Sequence, residues 1–234
     1  MAKTLEPQDW AVALARAAHD LQQQESLRQT LERATSYAVD LVGGCDAAGI
    51  IAVDKRGVRA LSASDPIACA GDRLQQECGG GPSFEAIDGT VQACRVADLD
   101  VAPRRWRRFT EGVVRLGIAG VMALPLLVPG EMLGVLNVYS LRRGELTVES
   151  ERLGALLASH IAVAFATAQA EENLRTAVTS HQQVGEAVGI LMERYRIGKG
   201  EALAMLTKAS QNQNTKLREL ARQLVETGEV PGVS

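Results

Sequence analysis

Residues 121–140 read VMALPLLVPGEMLGVLNVYS. Two apolar runs rich in Val, Leu and Met flank Pro129 and Gly130. Proline presets φ and glycine tolerates a positive one, so the stretch predicts a β-hairpin with its turn at that pair. Working back along the chain, AAGIIAVDKRGVRALSAS at 47–64 repeats the pattern, with two Ile- and Val-rich runs split by Asp54, Lys55, Arg56 and Gly57. VQACRVADL at 91–99 reads as an edge strand leading into a loop. Between and around the strands lie helical patterns. One covers residues 9–42, with apolar positions such as Leu14, Ala17, Leu21, Leu31, Ala34 and Ala38 recurring at three and four before Gly43 and Gly44 stop it. Further helices are expected at Pro66–Cys78, broken by Gly79–Pro82, in SFEAIDGT up to Gly89, and from about Arg105 to Leu116. That order predicts one antiparallel sheet with helices segregated to one face or end, an α+β domain.

The chain has 234 residues, 46% hydrophobic and 23% charged, so wholesale disorder is excluded and a sizeable core is expected. Aromatics are only 3%, which leaves few rings to stack on bases. A formal net charge of -3 excludes a basic footprint over the whole chain but permits a local basic face. The N-terminal stretch has no uninterrupted apolar core of a signal peptide, and no run of 18 apolar residues occurs. A cytoplasmic protein with no membrane partner is the expectation.

From Val148 to about Arg196 there is no proline, and Leu153, Leu157, Ile161, Ala164, Ala168 and Val178 mark a partly apolar stripe. A continuous helix of that length would span roughly 70 Å at 1.5 Å per residue and so join two domains. A capping helix broken near Glu172 or Asn173 is the alternative. Residues 180–228 then read as three helices. The first carries Val184, Ala187, Val188, Leu191 and Tyr195 on one side, the second Ala202, Leu203, Leu206 and Ala209, the third Leu217, Leu220, Ala221, Leu224 and Val225. Gly228 and Pro231 end the last helix. A unit this small has a marginal core, which favours dimerisation or support from the long helix.

Machinery for catalysis is not visible. The three histidines, His19, His160 and His181, all fall outside the region from Asp46 to Tyr139, so that region has no imidazole for a general base, haem or zinc. Cys45, Cys69, Cys78 and Cys94 form no CxxC pair and read as buried reduced thiols. Cys78 or Cys94 as a nucleophile lacks a base nearby in sequence. No catalytic residue, metal site or cofactor is expected. GGGPS at 79–83 lacks the ending of a phosphate loop. The run Pro103 to Phe109 places four arginines around Trp106 and Phe109, either as a nucleic-acid patch or as a loop feeding a helix with both rings turned inward. Between Arg194 and Arg222, seven basic residues face two acidic ones, a pattern open to a polyanion site or to a solvated helix face.

The residues of this last quarter, Val184, Ala187, Gly189, Ile190, Leu191 and Met192 in VGEAVGILMERYRI, then Glu201, Ala202, Leu206, Ser210, Asn214, Lys216, Leu217 and Ala221, closely resemble the ANTAR domain. Val188 and His181 stand where lysine and arginine are frequent. The resemblance implies a three-helix unit that works as a homodimer, binds paired RNA stem-loops in nascent transcripts and prevents a terminator from forming. Its RNA-binding candidates here are Arg194, Arg196, Lys199, Lys208, Ser210, Asn214, Lys216, Arg218 and Arg222. The region from about Leu21 to Ala170 looks like a GAF domain, carried by Leu74, Gln75, Gly79 to Pro82, Asp98, Leu99, Arg105, Trp106, Phe109, Pro125, Leu126, Leu133, Gly134, Leu136, Asn137 and Tyr139. That resemblance implies a small-molecule pocket over one sheet face, or dimerisation alone, with Gly80, Gly81, Pro82, Trp106 and Phe109 as pocket candidates. The expected division is an N-terminal helical extension at 1–20, an α+β GAF sensory domain at 21–170 with flanking helices on an antiparallel sheet, and, across the long helix, an all-α three-helix ANTAR domain at 171–234. A second reading makes the protein a ligand-sensing adaptor whose C-terminal bundle docks on a protein partner.

Overall fold

A computed structural model describes residues 7–54, 57–89 and 93–229, which form two compact units divided between Gln169 and Ala170. The expected turn residues Lys55 and Arg56, strand residues Val91 and Gln92, and Pro231 lie outside the described residues.

The helical pattern at 9–42 is two helices, α1 (Pro7–Gln22) and α2 (Leu27–Leu41). Ser26 is the reason. It takes an extended conformation at φ -150°, and its hydroxyl accepts the Gln29 amide at 3.3 Å, starting α2 as an N-cap. The hairpin read from DKRG is β1 (Ala47–Asp54) and β2 (Gly57–Ala63). Next comes α3 (Pro66–Cys78), whose start is fixed by Pro66 in the first turn and by Asp65, which accepts the Ile67 amide at 2.8 Å. Its end is fixed by Gly79 in the left-handed region at φ 58°. After α4 (Pro82–Ile87) and β3 (Cys94–Val96), two single-turn 3-10 helices lead into α5 (Arg107–Arg115). The hairpin at 121–140 is β4 (Gly120–Val128) and β5 (Glu131–Ser140), with Gly130 at φ 81° in the turn.

All pairings are antiparallel, in the order β2-β1-β5-β4-β3. Because side chains alternate along a strand, the three long strands send two sets of residues to opposite faces. Ala48 and Ile50, Met122, Leu124 and Leu126, and Leu136 and Val138 join a core with α1, α2 and α6 (Val148–Tyr195). Ala47, Val121 and Tyr139 join Phe109 and Val113 of α5 and Ala68 of α3, while Ile51, Ala123 and Val135 meet Ala86 of α4. Helices therefore cover both faces, where the sequence pattern predicted one face or end. Two apolar sets on opposite faces of each strand need two covering layers.

Helix α6 is unbroken at Glu172 and Asn173. An 18-residue window of it has a mean hydropathy of 1.5, long and apolar enough to cross a membrane by length and composition. In the fold Leu153, Leu157, Ile161 and Phe165 of this helix are buried in the first core, at the spacing of a helix lying on a sheet.

In the C-terminal unit, α6 is followed by α7 (Lys199–Asn212) and α8 (Leu217–Thr227). Ala187, Val188 and Leu191 pack with Ala202, Leu206 and Ala209 and with Leu220, Ala221 and Leu224. Tyr195 and Leu203, expected in this core, are 42% and 39% exposed. Tyr195 is in the last turn of its helix, and Leu203 is one residue off the face set by Ala202, Leu206 and Ala209.

Candidate nucleic-acid interface and sensor interior

On the α3 and α4 side of the sheet, Asn137 of β5 is flanked by Gly49 of β1 and Ala123 of β4. The two small neighbours open a space that polar side chains fill. Asp72 of α3 accepts the Asn137 amide and the Tyr139 hydroxyl on Oδ1, both at 2.7 Å. Gln75, one turn on, donates to the Tyr139 hydroxyl at 3.1 Å and accepts the Ser83 amide at 2.9 Å. The Ser83 hydroxyl donates to Asn137 Oδ1 at 2.6 Å. Asp72, Gln75, Ser83, Asn137 and Tyr139 are all fully buried. Asp72 Oδ2 has no hydrogen-bond partner among the described residues. Burial pushes the Asp72 carboxyl up to about 7 against the pull of its two donors. The Tyr139 phenol is driven well above its ordinary value by burial first and by the neighbouring carboxylate second.

The sequence named Gln75, Asn137 and Tyr139 through the GAF resemblance but missed Asp72 and Ser83. The available signal was position: Ala68, Gly71, Asp72 and Gln75 share the buried face of α3, and a carboxylate among small residues there must be functional or hydrogen-bonded. Of the pocket candidates, Gly81 and Pro82 begin α4 and are buried, and Gly80 is half-buried. A Cβ on Gly81 would press on Gln75, so the glycine corner tucks Ser83 into the network. Trp106 and Phe109 are turned inward, 4% and 1% exposed, and the Trp106 indole donates to Glu85 at 2.9 Å. The arginines around them point outward, with Arg105 paired to Glu85 and Arg107 to Glu111. Only Cys45 of the four free cysteines is buried, while Cys69, Cys78 and Cys94 are half-buried, which corrects the expectation of four buried thiols. Burial and then Glu85 push the Cys94 thiol up to about 11, which suppresses the thiolate a nucleophile requires.

In the C-terminal unit the nine RNA-binding candidates do not form one cluster. Arg194 is in the last turn of α6, Arg196 follows the helix at φ 52°, and Lys199 starts α7. The Arg194 guanidinium lies near Gly228, which caps the end of α8. Asn214, Lys216 and Arg218 sit at the other end of α8, about 16 Å away along an 11-residue helix. Asn214 is exposed with φ 51°, Lys216 is the exposed residue that begins α8, and Arg218 is exposed. Neither cation has a hydrogen bond or ion pair to another described residue. Lys208 is exposed on α7. Ser210 closes the turn instead, its hydroxyl donating to the Thr215 carbonyl at 2.6 Å. Arg222 is held by Glu219 at 2.6 Å and Glu226 at 2.9 Å.

The sequence at 24–166 matches the GAF domain model, and that at 172–225 matches the ANTAR domain model. The chain belongs to the GAF domain family and carries an ANTAR domain. This pairing makes it a regulator of the signal-sensing, RNA-binding antitermination type. No curated protein matches the GAF–ANTAR chain. Among solved structures, it is similar to the domain of a two-component sensor histidine kinase protein from Sinorhizobium meliloti, at 22% identity and a TM-score of 0.51, covering 65% of this chain and 99% of that one. A bacteriophytochrome from R. palustris matches at 13% identity and a TM-score of 0.60, over 89% of this chain and 48% of that one. The free methionine-R-sulfoxide reductase from Neisseria meningitidis, solved with its substrate, matches at 15% identity and a TM-score of 0.57, over 73% and 97%. These similarities establish the GAF fold.

Proposed function

We propose that this GAF–ANTAR protein is a cytoplasmic, non-catalytic homodimer whose ANTAR unit binds stem-loops in nascent RNA and prevents termination, under control of a signal received by the GAF domain. One observation carries the reading. The ANTAR turn between α7 and α8 offers Asn214, Lys216 and Arg218 together, exposed, while the apolar residues of α8 face inward. Cations supply affinity through phosphates, and an amide beside them supplies base preference.

Dimerisation is supported by α6. Leu156, Val163, Ala170 and Ala177 recur every seven residues, as do His160, Thr167, Leu174 and His181, and all eight are exposed. Leu156, Val163 and Leu174 are 49%, 54% and 66% exposed. Two interleaved heptad positions on one face are the seam of a two-stranded coiled coil. The raised Cys94 thiol supports the non-catalytic reading.

The test is to cross-link the full chain in cells, recover the bound RNA and sequence it. Enrichment of paired hairpins that overlap terminators is the expected result. Recovery of protein partners without RNA would replace the reading with the adaptor.

A further inference from the structure

Along one side of α8 runs a cleft of about 410 Å3. Its far wall is α6. Arg175, Thr179, Ser180 and Gln183 of α6 face Arg218 and Arg222 of α8. With Thr176, three guanidiniums, three hydroxyls and an amide line one concave surface, and Glu219 is the carboxylate among them. Glu219 is engaged with Arg222.

We propose that this cleft seats the sugar-phosphate backbone of the RNA, with Arg175, Thr179 and Gln183 of α6 forming a second contact wall opposite Arg218. The inference rests on the RNA-binding reading above and extends it from the turn to the flank of α6. Three features of the geometry support it. The cleft opens beside the N-terminal end of α8, so a strand whose bases meet Asn214 reaches it without crossing the bundle. Its chemistry is that of backbone recognition: guanidiniums pair phosphate oxygens, and hydroxyl and amide groups bond phosphates and sugars without reading sequence. The cleft and the dimer seam use different sides of α6. At about 100° per residue, the side of α6 centred on Thr176, Thr179 and Gln183 lies roughly half a turn from the side centred on the seam residues Leu174, Ala177 and His181. A dimer formed through the seam therefore leaves both clefts open.

The test uses the full chain and a stem-loop RNA taken from the cross-linking experiment, titrated at several salt concentrations. Thr179→Glu introduces a better helix former and places a negative charge in the cleft. Arg175→Gln removes a cation, and Arg175→Lys restores the charge. Arg28→Ala, on α2, is the control for loss of a distant arginine. Thr179→Glu is expected to weaken binding at least tenfold with an unchanged circular dichroism spectrum. Arg175→Gln should flatten the dependence of log affinity on log salt by roughly 0.7 to 0.9, Arg175→Lys should restore it, and Arg28→Ala should match the parent. Inorganic phosphate at millimolar concentration should not displace the RNA, whereas displacement would assign the cleft to a free anion and overturn the proposal. Parent-like affinity and salt slope in Thr179→Glu and Arg175→Gln would overturn it too while leaving the RNA-binding reading intact. No RNA binding by the parent would overturn both.

Discussion

The hydroxyl of Tyr139 donates to Asp72 at 2.7 Å in a fully buried site, and the second oxygen of that carboxylate meets no donor among the described residues. An ionised carboxylate there has half its acceptors unsatisfied, so the fold favours the protonated form. Its proton affinity in the fold, about 7, exceeds the ordinary 3.8. Stability from this group is then fully present below 3.8 and is lost as pH rises through about 7, because the unfolded chain releases the proton first. At about 1.4 kcal/mol per tenfold change in proton affinity, the loss is a few kcal/mol. Thermal melts of Asp72→Asn from pH 5 to 8 should show a flatter slope than the parent. Parallel slopes would show that Asp72 does not titrate there.

Tyr139→Phe removes the hydroxyl that links Asp72 to Gln75. Two buried groups lose a partner, and a destabilisation of about 1–3 kcal/mol is expected in urea titration. Loss below 0.5 kcal/mol would mean that water replaces the hydroxyl.

Gly49 lies beneath the same carboxylate, and a Cβ there would overlap Asp72. Gly49→Ala must displace α3 or turn the Asp72 side chain away from Asn137 and Tyr139. Its GAF unit should melt earlier than that of the parent in a calorimeter. An unchanged transition would show that α3 has room to move.

Helix α6 gives the fourth expectation. Val163→Glu with Leu174→Glu puts charge on both heptad positions while keeping strong helix formers. Light scattering at micromolar concentration should change from the dimer mass to the monomer mass with helicity retained. A parent already monomeric at that concentration would remove the seam from the account.

Most of the fold could be read from local chemistry. Pro129 and Gly130 announce the β4–β5 turn, and Asp65, Pro66 and Gly79 mark both ends of α3. The split of residues 9–42 is hidden because Leu14, Ala17 and Leu21 before Ser26 and Leu31, Ala34 and Ala38 after it have the same three–four spacing, so each half alone reads as helix. Site residues were harder to read. Lys216 and Asn214 announce themselves by charge and by position in a break between helices. Asp72 and Arg175 have no such local mark. The first is placed by Asn137, 65 residues away in sequence, and the second lies across a cleft from Arg218. Charge counting also grouped Arg194, Arg196 and Lys199 with Lys216 and Arg218, although α8 holds the two sets at opposite ends.

Prevention of termination by RNA held on the ANTAR unit is read out by single-round transcription through a terminator preceded by the recovered stem-loops, with the full chain titrated in. Read-through should rise with the parent chain and stay at the background level with Lys216→Ala and Arg218→Ala combined, whose exposed positions leave folding within about 0.5 kcal/mol of the parent. Termination that stays unchanged as the parent chain saturates the RNA would contradict the account.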